Sequence, residues 1–381
     1  MSAKKTLLAV ISVLSCGIIL FSACIEREHY SWTLNDLGDE VDFHTDTQRE
    51  YLNDENYENI TAYAYGMHEL SRPEAVRFEW KATELTANAP DIAEYELQIS
   101  TDEYFSEYLS YSTEETYYDV YNLRIATEYY WRVEATLENG KSSLSSTSTF
   151  ETVDVGPRNI YVDGVTNVRD IGGWETADGG RVKQGMIYRC GRLNTSNADG
   201  IEVDEVIVEI TEKGIETMRE ELGICSEIDM RRTDNNEVGF LTYSPLGDDV
   251  NYYSCPMTWA VSNLLLENIE IVKQTFEILA DESNYPIIYH CNIGTDRTGL
   301  YSYLINGLMG VSEEDLYRDY LFSNFGKING SRNLSGIKYS YIATIKSYDG
   351  DTLSEKIYNC LVDRGVPSEH LDAVIEILTE Y

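Results

Sequence analysis

Apolar and polar positions alternate over three stretches in the first half of the chain. Val76, Phe78 and Trp80 interleave with Arg77, Glu79 and Lys81; Tyr95, Leu97 and Ile99 do the same, as do Tyr129, Trp131, Val133, Ala135 and Leu137. A period of two puts one set of side chains on a buried face, so each stretch predicts a half-buried strand. Asn88-Ala89-Pro90-Asp91 and Glu138-Asn139-Gly140 supply the turns. Residues 71–155 are expected to form an all-β, immunoglobulin-like sandwich.

Beyond residue 156 the period changes. Apolar residues recur at helical spacing over 210–222, 264–279, 299–309 and 312–322, and Ser312-Glu313-Glu314-Asp315 reads as a helix start with an acidic first turn. Pro367-Ser368-Glu369 opens a last helix carrying Leu371, Val374, Ile375 and Leu378 on one face. The apolar run 285–289 reads as a buried strand. Residues 156–381 are therefore expected to be an α/β domain, a central sheet flanked by helices. The polar stretch 231–249 is long for a connection and is expected to border a cleft.

The N-terminal region shows neither period. Residues 24–70 are acidic and polar, and predict a tether. Before them Lys4 and Lys5 precede the uncharged stretch Thr6 to Ala23, which reads as a secretory signal over residues 1–23. Phe21-Ser22-Ala23-Cys24 resembles the bacterial lipoprotein processing box, with Phe where Leu is commoner. Cys24 would become the lipid-modified first residue, placing the chain in the cell envelope, lipid-anchored and extracytoplasmic. Cys16 is a rival site, but cleavage there leaves an apolar stub. An uncleaved anchor would sit at the short end for a spanning helix.

The densest chemistry lies in His290-Cys291-Asn292-Ile293-Gly294-Thr295-Asp296-Arg297-Thr298-Gly299. A strand precedes this run, and Leu300, Leu304, Ile305 and Leu308 follow at helical spacing. Strand, tight loop and helix N-terminus together make an anion cradle, with inward amides, helix dipole and a Gly294 that permits close backbone approach. The same field favours a thiolate at Cys291. Arg297 offers the planar two-pronged donor that suits phosphate oxygens. A bare Cys-x5-Arg recurs by chance in a chain with seven cysteines. Here the flanking His290, Gly294, Thr298-Gly299 and the strand–helix context cut that coincidence sharply.

This run resembles the active-site loop of bacterial tyrosine phosphatases of the protein-tyrosine-phosphatase superfamily, which ends in Asp-Arg-Thr-Gly. Asn167-Val168-Arg169-Asp170-Ile171-Gly172-Gly173-Trp174, Gly185-Met186-Ile187-Tyr188-Arg189 and Ile228-Asp229-Met230-Arg231 resemble further family segments in the expected order, so the resemblance covers about 157–381. Some members carry Lys where this chain has Thr295, and lipid-phosphatase members lean on that charge. A phosphoinositide substrate is correspondingly disfavoured.

Cys291 is the expected nucleophile, forming a phosphocysteine. The amides of Asn292, Ile293, Gly294, Thr295, Asp296 and Arg297 are expected to bind the equatorial oxygens. Thr298 is expected to hydrogen-bond the Cys291 sulfur, and His290 to tune the loop from behind or simply to be a satisfied strand-end histidine. No Trp-Pro-Asp tripeptide is present. Asp296 is the choice for general acid, as the resemblance also implies, with Asp229 the runner-up. In the family the Asn167 segment packs beside the loop, so Asp170 is expected to support Arg297 or the loop amides. Arg169 and Arg189 are read as supports too. The corner from Leu123 to Tyr129 and the early Trp80 resemble fibronectin type III domains, and the sandwich is read as a spacer or docking module.

Composition narrows the partners. Lys and Arg total 29 against 66 Asp and Glu, a formal net charge of −37, which excludes nucleic acid as a natural partner. The five histidines are scattered, so no metal site and no cofactor are expected. The remaining cysteines suggest no disulfide framework. The expected substrate is a phosphoprotein or small aryl phosphate. The alternatives are a dual-specificity or phosphoinositide phosphatase, or a non-catalytic phosphate-binding or adhesion lipoprotein.

Overall fold

The structure is a computed structural model that describes residues 29–194, 209–233, 241–259 and 261–380. Cys24 and the whole signal segment lie outside the described residues, as does the part of the expected cleft border at 234–240. Among the described residues no helix is long and apolar enough to cross a membrane.

The alternating stretches are strands. The N-terminal sandwich comprises β1 (Tyr30–Leu34), β2 (Glu40–Val41), β3 (Val76–Glu84), β4 (Ile92–Ser100), β5 (Leu109–Thr113), β6 (Tyr117–Val120), β7 (Glu128–Leu137), β8 (Ser142–Leu144) and β9 (Ser148–Thr152). One sheet runs β1-β3-β6; the other runs β2-β9-β7-β4-β5, with β8 paired to β7. Phe78, Trp80, Leu97, Ile99, Trp131, Val133 and Phe150 fill the space between them. The Tyr129 hydroxyl accepts the Arg124 N–H at 2.8 Å, closing the corner expected from the sequence.

The C-terminal part contains β10 (Arg169–Asp170), β11 (Arg181–Val182), β12 (Ile187–Cys190), β13 (Ser226–Asp229), β14 (Asn251–Ser254), β15 (Ile287–His290) and β16 (Thr379–Glu380). Five of these form a sheet of order β10-β12-β15-β13-β14, parallel except for antiparallel β10. On one side lies a small apolar layer of Val162, Met218, Leu222 and Ile288, beside the turn-length α2 (Glu212–Glu216). On the other pack α3 (Ile269–Leu279), α4 (Asp296–Leu308), α5 (Glu313–Phe322), α8 (Leu353–Asp363) and α9 (Ser368–Leu378). The single turns α6 (Ser335–Ile337) and α7 (Ala343–Lys346) connect α5 to α8. Two-sided cover explains the continuous apolar run of β15. The fold is thus an α/β domain with a central sheet flanked by helices, behind an all-β sandwich.

The expected tether is corrected by the structure. From residue 29 onward that segment is folded, adding β1 and β2 to the two sandwich sheets and then strapping the α/β domain. Thr45 caps α1 (Asp46–Leu52) with a reciprocal Thr45–Gln48 box. Tyr51, Ile60 and Ala64 enter the main core of the α/β domain, and the Tyr51 ring centroid lies 5.8 Å from that of Phe325. The Gly66 N–H donates to Asn324 O at 2.7 Å and the Leu70 N–H to Phe325 O at 2.6 Å. Periodicity misses this strap because each short element contributes one or two anchors, too few to make a stripe. The sandwich is seated through polar contacts. Buried Arg158 donates to Asn122 O and Leu123 O at 2.5 and 3.0 Å, and Gln184 exchanges two hydrogen bonds with Ile125.

Candidate active site

The loop between β15 and α4 lies at the carboxyl end of the central strand, where parallel sheets present ligand sites. Gly294 has φ +69°, and a Cβ there would stand 2.3 Å from Cys190 O, so glycine is required by both backbone and space. The loop carbonyls are claimed from outside. Arg192 N–H donates to Asn292 O at 3.1 Å; the Asn167 amide donates to Ile293 O and Gly294 O at 3.3 and 2.9 Å; Arg189 Nη2 donates to Gly294 O at 2.9 Å. In a trans peptide the N–H points opposite to the C=O. Three carbonyls pulled outward therefore turn the amides of Ile293, Gly294 and Thr295 to the loop's inner side. α4 adds its positive end there. Cys291 is 1% exposed at the start of the loop.

Behind the loop sits a dense buried charge network. Asp319 on α5 accepts from Arg169 Nε at 3.0 Å and from Arg189 Nη1 at 2.5 Å, all three residues essentially solvent-free. Arg169 also donates to Asn167 Oδ1, the residue that clamps the loop. Burial opposes ionisation of Asp319, but its two guanidinium neighbours win and hold its carboxyl below the usual range. Arg169 has one carboxylate to share with Arg189, and burial with that repulsion pushes it down to about 10. His290 Nε2 lies 2.9 Å from Glu227 Oε1, and its Nδ1 lies 3.2 Å from Cys291 O. Burial works against the imidazolium, yet Asp229 and Glu227 raise its pKa overall.

Several assignments change. Asp170 does not reach the loop: it binds Arg158 at 2.6 Å and the amides of Gly172 and Gly185 at 2.8 and 2.6 Å, joining the sandwich seat to the sheet. The support role expected of Asp170 falls instead to Asn167 and Arg189. Asp229 is fully buried, held by Arg231 at 2.7–3.0 Å and by the Tyr252 hydroxyl at 2.9 Å. Both carboxylate oxygens of Asp229 are thus engaged within the protein, whereas Asp296 is partly exposed. Thr298 is buried and its hydroxyl meets no hydrogen-bond acceptor or donor, so the expected bond to the Cys291 sulfur is not made. Glu227, Asp229 and His290 have cation-ligand chemistry at close range, but their atoms are engaged by each other, Arg231, Ser244 and Tyr252.

The front of the loop is different in character. Asp296 opens α4 with its side chain 41% exposed, accepting from the Tyr320 hydroxyl at 3.0 Å and facing Arg332 Nε at 3.4 Å. Arg297 is 3% exposed and donates Nη1 to Met230 O at 3.0 Å and Met257 O at 3.3 Å, which fixes it beyond the ends of β13 and β14. Asp319, Glu227, Tyr320 and Arg332 were missed in the sequence. For Asp319 a signal existed: a lone acid among Leu316, Tyr320 and Ser323 on one helical face.

A glycine-pinned anion loop feeding a central helix from a parallel sheet defines the α/β class of phosphate-site domains. Residues 160–376 match the tyrosine phosphatase family, and residues 71–154 match the Rha78A-like N-terminal immunoglobulin domain. The chain belongs to the tyrosine phosphatase family. A relative from Cupriavidus necator, provisionally named a tyrosine-protein phosphatase, is 22% identical over 193 residues, covering 44% of this chain and 64% of that protein. The chain thus spans under two thirds of that relative's length. Similar solved structures include the catalytic domain of the PP-IP phosphatase Siw14 of S. cerevisiae (19% identical, 44% of this chain, 91% of that one, TM-score 0.29). A human fibronectin type III domain also matches (26% identical, 22% and 77% covered, TM-score 0.19).

Proposed function

We propose that the protein is a cysteine-dependent phosphatase that hydrolyses phosphotyrosine and similar aryl phosphate monoesters. The observation that carries this reading is the set of outward-claimed carbonyls at Asn292, Ile293 and Gly294, which leaves amides to receive phosphoryl oxygens. The Cys291 thiolate attacks phosphorus in line, the P–O bond to the aryl group breaks, and Asp296 protonates the departing oxygen. Water then attacks the phosphocysteine, Asp296 takes its proton, and the S–P bond breaks to return the thiolate and release phosphate. Loop amides and Arg297 stabilise the charge on the equatorial oxygens through both steps. His290, from behind, favours the thiolate.

Hydrolysis of p-nitrophenyl phosphate in EDTA is the direct test. Wild type is expected to turn over and Cys291→Ser to lose at least ~10³-fold, the scale of removing a covalent nucleophile. Equal rates above background in the two proteins would remove Cys291 as the nucleophile, and no turnover above background in wild type would leave a phosphate-binding module in place of an enzyme. We also propose that residues 1–23 are a lipoprotein signal and that the activity lies outside the cytoplasm, anchored at Cys24. Radiolabelled palmitate should be retained by wild type and not by Cys24→Ala; equal labelling would remove the anchor.

A further inference from the structure

A cavity of about 460 Å³ opens between the first turn of α4 and the segment 331–341. Asp296 lines it, with the aromatic rings of Trp259, Tyr320, Tyr339 and Tyr341 and the guanidinium of Arg332. Trp259 and Tyr339 are 56% and 84% exposed, unusual for rings of that size and suited to stacking on a flat partner. If Asp296 protonates the leaving oxygen, the group borne on that oxygen must lie against Asp296. The cavity is the space Asp296 lines.

Arg332 is held in place by its backbone. Asn324, buried at the end of α5, accepts the Arg332 N–H at 2.7 Å and donates its amide to Arg332 O at 3.1 Å. Its side chain is 28% exposed, touching Gly330 O at 3.1 Å and Asp296 Oδ2 at 3.4 Å. One long contact to a carboxylate is a weak hold that a second anion can share. The chain's net charge of −37 disfavours an acidic partner at long range, so acceptance of one needs a local cation. Arg332 is the cation in this lining.

The geometry points to this cavity as the subsite for the alcohol half of the ester, with the aryl ring against the aromatic wall and Arg332 reading an acidic residue beside phosphotyrosine in a peptide. The inference rests on the phosphatase reading above and adds a specificity residue to it. An aromatic wall favours the aryl ester of a peptide over a hydroxyl-covered polyol ring.

The test compares kcat/KM for two phosphotyrosine peptides that differ only by Glu or Ala next to the phosphotyrosine, with an inositol bisphosphate as a third substrate. Wild type is expected to prefer the Glu peptide roughly fivefold, the scale of one partly exposed charge pair. Arg332→Gln should bring that ratio to about one, and Arg332→Lys should restore part of it, a rescue that general damage to the fold would not give. An unchanged ratio in Arg332→Gln, or a preference for the inositol bisphosphate over both peptides, overturns the assignment. Failure of wild type on p-nitrophenyl phosphate would instead bring down the phosphatase reading on which it rests.

Discussion

The two sides of the loop at 291–297 are built on opposite plans. Behind it, Asn167, Arg169, Arg189, Glu227, Asp229, His290 and Asp319 are buried and cross-linked by charge-assisted hydrogen bonds. In front, Asp296 and Arg332 share one 3.4 Å contact beside exposed rings. Buried ion pairs rarely add much net stability, but each partner becomes indispensable once the other is present. A side built this way fixes geometry. A side left wet and loosely paired can exchange partners with a substrate. On the proposed function, the contrast separates residues that shape the cradle from residues that would meet the ester.

The sharpest way to break this contrast is to remove a back-side charge. Among the described residues, Asp319 is the carboxylate that lies between Arg169 and Arg189. Asp319→Ala would leave two guanidiniums buried against each other, and loss of one partner from such a pair costs about 3–5 kcal/mol. Urea denaturation should show that loss as a lowered midpoint. Front-side variants such as Arg332→Gln should move the midpoint by well under about 1 kcal/mol. A small effect at Asp319 would mean that the network is ornamental to the fold and that the two sides do not differ as described.

Some of this arrangement was legible in the chain and some was not, for identifiable reasons. Strands β3 and β7 announced themselves because the outward positions of each are wetter than the inward ones; β4 alternates in residue type although Gln98 and Ser100 are buried. The loop was legible because Cys291, Gly294 and Arg297 lie within seven consecutive positions. Helix α4 was legible in extent but not in surroundings: the sequence displays one apolar stripe, whereas Arg297 to Leu308 are all buried. Some of its polar groups are satisfied inside the protein, Ser302 by Tyr289 and Arg189 and the Asn306 amide N–H by Ile171 O at 2.9 Å, whereas the Thr298 and Tyr303 hydroxyls are buried without a partner among the described residues. The strap of residues 42–71 was read as a tether because its anchors arrive singly. Asp170 was misplaced because a neighbour two positions away in a strand faces the same side, whereas Asp170 and Arg169 face opposite ones. Long-range partners such as Asp319 and Arg332 belong to folding back of the chain, which spacing does not encode.

The smaller effect, and the more diagnostic one, concerns Asp296. Proton donation matters in proportion to the basicity of the leaving group, so the residue's role can be read from a pair of substrates. Phenyl phosphate releases a weakly acidic phenol, with a pKa of about 10 like that of tyrosine, and needs the proton in the transition state. Release of p-nitrophenolate needs it far less. Asp296→Asn keeps the size of the side chain and an acceptor for the Tyr320 hydroxyl, but it has no proton to give. It should lower kcat on phenyl phosphate by about 10²-fold, near the low end for general acid catalysis, while p-nitrophenyl phosphate falls much less. The denaturation midpoint should stay close to wild type, because Asp296 is partly exposed and its ion pair is long. Equal losses on both substrates would instead mean that Asp296 shapes the cradle, as the residues behind the loop do. The proton donor would then have to be sought elsewhere along the cavity that Arg332 and Trp259 line.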